Sequence, residues 1–171
     1  MWDYIKEKFR KYPSQTKVLK KLISLGLSVK KDHEGTPRIY CDDVEVKASS
    51  LAMSLGVDRR AVLDILSKIV EDGELAKFFL DLKPSPDFRK VSTRLGMGVI
   101  QIVATKATQP GIVSGVSQII AREGISIRQV MVDDPELVDD PRATIVTDSP
   151  IPGRLLSDLK TVEGVEAVVI L

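Results

Sequence analysis

Two spacings of apolar residues divide the chain, helical before residue 81 and largely alternating after residue 96. After Pro13 and Ser14, the residues Val18, Leu19, Leu22, Ile23 and Leu25 recur at helical intervals and stop at Gly26. This predicts an amphipathic helix with Ser14 as its N-cap. Residues 2–12 predict a shorter helix ahead of it. Residues 32–46, with Gly35, Pro37 and the Asp42-Asp43 pair, predict an irregular connection or a short hairpin. Residues 81–96 hold Pro84, Pro86 and several small polar residues with no sustained apolar period, so they predict a linker. The expected division is a helical domain at 1–80 and a second domain at 97–171.

In the second domain the pattern predicts strands at 99–106, 125–132, 143–147 and 165–171, and helices at 111–123 and 153–162. The order is βαββαβ, the ferredoxin-like arrangement of an antiparallel sheet with both helices on one face, which makes the fold class α+β. Ile112, Val113, Val116, Ile119 and Ile120 form the buried stripe of the first helix. Leu155, Leu156, Leu159 and Val162 form that of the second. The first and last strands are apolar on both faces, with Val99 and Val103 opposing Ile100 and Ile102. Exposed aliphatic area costs about 25 cal/mol per Å², so a second copy of the chain is the simplest cover for the far face.

From Ala48 the sequence runs ASSLAMSLGVDRRAVLDILSKIVED. It resembles the helix-turn-helix family at the positions that make that motif work. Ala52 stands where two helices touch, Gly56 four residues later where the turn is left-handed, and Val62 six further on where the second helix packs on the first. Leu51, Leu55, Val57 and Ile65 complete the shared core, and Asp58 can cap the second helix. The resemblance implies that this helix presents Arg59, Arg60, Leu63, Ser67 and Lys68 to the major groove of DNA. The arginine fork suits guanine edges or phosphates.

Charge sharpens the division. The net charge of +1 conceals 19 Lys+Arg against 14 Asp+Glu in residues 1–95, and 6 against 10 in residues 96–171. Such asymmetry suits a half that faces nucleic acid. Lysines and arginines at 6, 8, 10, 11, 17, 20, 21, 30 and 31 give the early helices a basic character that could track a phosphate backbone. No Asn occurs and charged residues are plentiful, a pattern described for proteins of hot environments. No apolar run approaches the roughly 18 residues of a membrane span, and the N-terminus lacks the form of a signal peptide, so the expectation is a cytoplasmic protein with no membrane partner.

The turn into the first helix of the second domain reads TQPGIV, residues 108–113. Pro110 is preset for a helix start, Gly111 leaves room, and the amides of Gly111, Ile112 and Val113 lack intrahelical acceptors, so the turn can receive an anion. The whole run TQPGIVSGVSQIIAREGISI, followed by two strands, a helix and a last strand, closely resembles the ACT domain. The resemblance implies an amino-acid effector held between two copies, by Thr108, Gln109, Pro110, Gly111, Ile112 and Val113 from one and Ile125, Ser126 and Ile127 from the other. Two positions depart from that family: Thr108 stands where an acidic residue is common, and Ser126 where an asparagine is common. Both departures weaken the grip on an α-amino group.

Together these features predict a regulator that responds to a small effector, binds DNA and forms a homodimer, in which the effector shifts the spacing of two helix-turn-helix modules. The alternative is a regulatory protein that acts on a metabolic enzyme without touching DNA. An enzyme is not expected: His33 and the lone Cys41 have no matching base, and no nucleotide loop or nucleophile elbow occurs. No cofactor or metal is expected, and the acidic run 133–140 predicts a solvated hairpin extension. Every Trp, Tyr and Phe lies at or before Phe88, which removes the base-stacking platform an RNA-recognition domain would need.

Overall fold

The computed structural model describes residues 1–171 as a mixed α+β protein with eight α-helices and two antiparallel sheets. The chain divides into two units, Met1–Pro86 and Asp87–Leu171. None of the helices is long and apolar enough to cross a membrane.

The first unit opens with α1 (Trp2–Phe9) and α2 (Pro13–Ser24). Pro13 takes the first helical position of α2 and Tyr12 is its N-cap, so Ser14 lies inside the helix and does not cap it. Proline at that position needs no amide partner, and the Thr16 hydroxyl closes the turn by donating to the Tyr12 carbonyl at 3.2 Å. Residues 28–46 are more regular than expected. They form β1 (Ser28–Lys31), β2 (Pro37–Cys41) and β3 (Val44–Val46), a sheet ordered β1-β2-β3. Val29 pairs with Ile39 and Ile39 with Val46, so one apolar face reaches the core. Asp32 sets the first turn: one carboxylate oxygen accepts from the Glu34 and Thr36 amides, and the other takes Arg38 Nε at 2.9 Å. The Arg38 guanidinium beside it holds that carboxyl below its ordinary pKa.

Three helices complete the unit, α3 (Ala48–Leu55), α4 (Arg59–Glu71) and α5 (Gly73–Leu80). A three-residue turn joins α3 to α4, with Gly56 at φ +62° and the Val57 amide donating to the Ala52 carbonyl at 3.1 Å. Ala52, Val62 and Ile65 are buried there with Leu19 and Leu22 of α2. Between α4 and α5 stands Asp72, whose carboxylate accepts from the Glu74 and Leu75 amides and from the side chains of Lys8 and Tyr4. It caps α5 and ties α1 to it.

The second unit holds β4 (Gly98–Ala104), α7 (Ile112–Arg122), β5 (Ile127–Val132), β6 (Arg142–Thr147), α8 (Leu155–Lys160) and β7 (Val165–Ile170), preceded by the short helix α6 (Arg89–Ser92). Its strands lie in the order β5-β6-β4-β7, each pair antiparallel. Ile100 faces Ile145 on one side and Ile170 on the other. This register puts Ile100, Ile102 and Ile145 in one cluster with Ile112, Val116 and Ile120 of α7 and Leu155 and Leu159 of α8. Residues 87–95 do not form a free linker. The α6 helix packs against β4 and β6, the Phe88 amide donates to Gln129 Oε1 at 3.1 Å, and Ser92 is buried. Val99 and Val146, on the sheet face away from the α7 and α8 cluster, are each 1% exposed. That face is therefore covered in part by the chain itself, where a second copy was expected to supply the cover. The reassignment also moves Arg89, Lys90 and Arg94 into the second unit. It leaves 16 Lys+Arg against 13 Asp+Glu in residues 1–86 and 9 against 11 in the remainder, a weaker asymmetry than the split after residue 95 implied.

Candidate functional site

Beneath the start of α7 lies a partly open cleft of about 250 Å³, lined mainly by apolar atoms. Its walls come from three places. Thr108, Gln109, Gly111, Ile112 and Val113 belong to the turn and first residues of α7, Ile102 and Ala104 to β4, and Val132, Asp133 and Ala143 to the facing ends of β5 and β6. Gly111 is the N-cap at φ +94°, exposed, with no atom within 4 Å of where a Cβ would sit. The first amides of α7 have no carbonyl one turn behind them, so the positive end of the helix opens toward this space. Gln109 is held in place: its amide donates to the Lys106 carbonyl at 3.0 Å, and its side chain packs close over Gly164.

The structure brings Thr108, Gln109, Gly111, Ile112 and Val113 to one cleft and leaves Pro110 on its outer side, exposed to solvent. Ile125, Ser126 and Ile127, which the resemblance assigns to a second copy, lie elsewhere in the single chain. Those residues precede and begin β5, whose other end supplies Val132 and Asp133, and the Ser126 amide donates to Asp148 Oδ1 at 3.3 Å. Asp133 and Arg142, which sequence reasoning passed over, are cross-strand neighbours. The Asp133 amide donates to the Arg142 carbonyl at 3.0 Å, and Asp133 Oδ2 accepts from the Arg142 amide at 3.2 Å. The Arg142 guanidinium is engaged elsewhere, by Asp140 and by Gln101 Oε1 at 3.2 Å. Asp133 is thus a charged residue of the cleft with no close ion pair, its carboxylate accepting from the Arg142 amide and attracted by the Arg89 guanidinium. The signal for it lay in strand pairing: once β5 and β6 form a hairpin, the residues flanking the acidic run face each other across it.

The second candidate surface is α4. Asp58 accepts from the Arg60 amide at 2.7 Å and caps the helix, and Arg59, Arg60 and Leu63 are exposed on its first turns. Ser67 is half-buried. Lys68 lies on another side of the helix: its ammonium donates to Gln15 Oε1 at 2.9 Å and sits 4.4 Å from the Tyr12 ring centre. Lys68 follows Arg59 by nine residues, about 180° around the helix at about 100° per residue, which takes it toward α2 and away from the face of Arg59. Other early lysines are similarly occupied. Lys8 binds Asp72, and Lys17 donates to the Leu55 carbonyl at the C-terminal end of α3 at 2.6 Å, where a cation complements the helix dipole. A groove of about 400 Å³ runs beside Arg59 and Leu63, between α4 and the sheet of β2 and β3.

The fold and these surfaces define a two-unit α+β protein, with a groove beside α4 in the first unit and a cleft at the start of α7 in the second. No protein-family model matches the chain, and no curated protein matches it. Among solved structures it is similar to the one described as the crystal structure of PH0061, with 15% identity over 77% of this chain and 82% of that one, at a TM-score of 0.28.

Proposed function

We propose that this chain is a metabolite-responsive regulator, built from a helix-turn-helix unit that binds DNA through α4 and an ACT-like βαββαβ unit that binds a small effector and pairs with a second copy. The observation that carries the reading is the cleft at the start of α7. Helix amides suit a carboxylate, Asp133 suits an ammonium group, and Ile102, Ile112, Val113 and Val132 suit an aliphatic body. An α-amino acid has those three parts. Asp133 also supplies the negative charge that the neutral hydroxyls of Thr108 and Ser126 lack. The reading places Arg60 on the DNA-facing side of α4, with the Gly56 turn setting the angle between α3 and α4. A regulator that acts on an enzyme without DNA is the second reading, favoured by the engagement of Lys68 with Gln15 and by the small charge excess of the first unit.

A melting-temperature screen of the full chain against α-amino acids and matching carboxylic acids tests the effector site. A ligand at a hundred times its dissociation constant stabilises the native state by about 2.7 kcal/mol. The expected result is a saturable rise with at least one aliphatic amino acid that Gly111→Leu removes. Asp133→Asn should weaken amino acids while leaving acids without the amino group unaffected. No shift at millimolar concentrations with any compound would refute the sensor.

A further inference from the structure

The groove between α4 and the small sheet has no role in the reading above, and its chemistry differs from that of the α7 cleft. Its lining is more polar than apolar and draws Arg38, Glu45, Lys47 and Ser49 from the sheet and the start of α3, and Arg59 from α4. Arg38 is largely neutralised, with Nε on Asp32 at 2.9 Å and a second nitrogen 3.8 Å from Glu45. Lys47 and Arg59 have neither an ion pair nor a side-chain hydrogen bond. Two free cations thus flank one recess on separate elements, with the Ser49 residue beside them. On α4, Arg59, Leu63 and Leu66 line the groove at i, i+4 and i+7, whereas Arg60 is turned about 100° from Arg59 and does not line it.

We propose that this groove receives a backbone phosphate of duplex DNA, with Lys47 and Arg59 as its cations, so that Arg59 positions the protein while Arg60 reads bases. The inference rests on the DNA-binding reading and deepens it. A phosphate protrudes from the duplex and is met by cations in a polar recess, while base edges are met by a helix face entering the major groove. The β1–β3 sheet then has a function: it carries Arg38 and Glu45 in the groove wall and leads into Lys47. Glu45, as an anion at the same recess, opposes phosphate binding.

The test is fluorescence anisotropy of a labelled random-sequence duplex titrated with full-length chain over a series of salt concentrations. Each phosphate neutralised contributes about −0.9 to the slope of log affinity against log salt. Lys47→Ala and Arg59→Ala should each make the slope shallower by about that amount. Glu45→Gln should tighten binding at fixed salt, a gain that misfolding cannot produce. Slopes equal to wild type in both alanine variants, or no gain from Glu45→Gln, would overturn the phosphate site and leave DNA binding by α4 standing. A wild-type chain that binds no duplex at low salt would overturn both.

Discussion

Alanine at Gly26 should destabilise the first unit by about 4 kcal/mol or more, while alanine at Gly56 should cost about 1 kcal/mol. The two glycines share nearly the same backbone angle, φ +63° and φ +62°. Each alanine therefore suffers the same left-handed strain, which favours glycine by about 1 kcal/mol. Their surroundings differ. A Cβ on Gly26 would stand 2.2 Å from the Lys83 carbonyl oxygen and 2.8 Å from the Pro84 Cα, both backbone atoms that cannot swing aside. A Cβ on Gly56 would meet nothing within 4 Å. Trp2, the one tryptophan, packs against the core of this unit and reports its unfolding by fluorescence. In urea titrations the Gly26→Ala midpoint should fall several times further than that of Gly56→Ala. Equal losses would show that the backbone of Lys83 and Pro84 does not lie against Gly26.

Asp72→Ala should cost about 3 kcal/mol at neutral pH, roughly 1 for the lost cap of α5 and about 2 for hydrogen bonds to charged and phenolic partners. Burial by itself would raise the pKa of this carboxyl. The Leu75 amide, Lys8 and Tyr4 overcome that and hold it well below the usual carboxylate range. The folded value is therefore depressed relative to the unfolded one. Its stabilising contribution is complete above the ordinary aspartate value near 4 and is lost as the pH falls through the folded value. The stability gap between wild type and Asp72→Ala should thus be constant from neutral pH down to about 5 and shrink in stronger acid. Urea titrations at several pH values read this directly, and a gap that widened on acidification would contradict the role given to Asp72.

Where apolar periodicity was strong, the sequence was informative. The stripe of Ile112, Val116 and Ile120 and the positions of Ala52, Gly56 and Val62 each follow from spacing and turn chemistry that side chains write plainly. The hairpin of β2 and β3 was one of two readings left open for residues 32–46, whereas β1 was missed because its four residues, Ser-Val-Lys-Lys, are too short and too polar to show a period. The cover of the far sheet face was hidden for another reason. Residues 87–95 follow Pro86 and are exposed apart from Ser92 and the half-buried Arg89, so the packing of α6 on β4 and β6 is a contact between segments that no local pattern encodes. The turn at residues 108–113 was legible as one side of a cleft. Asp133 on its other side was not, because its position depends on which ends of β5 and β6 meet. Lys68 shows the converse: helical spacing gave its neighbours along α4, but its place over Tyr12 depends on how α2 lies against α4.

In the proposed regulator, effector binding and DNA binding are coupled in one chain. The most direct measurement takes duplexes selected by the protein from a random pool, and determines their affinity with and without a saturating ligand found in the melting screen. Coupling free energies of about 1 to 3 kcal/mol correspond to a change of roughly 5- to 150-fold, and linkage requires the ligand's own affinity to change by the same factor when DNA is bound. A matched change in both directions is the predicted result. Identical DNA affinity at ligand saturation, with both partners shown to bind, would contradict the account.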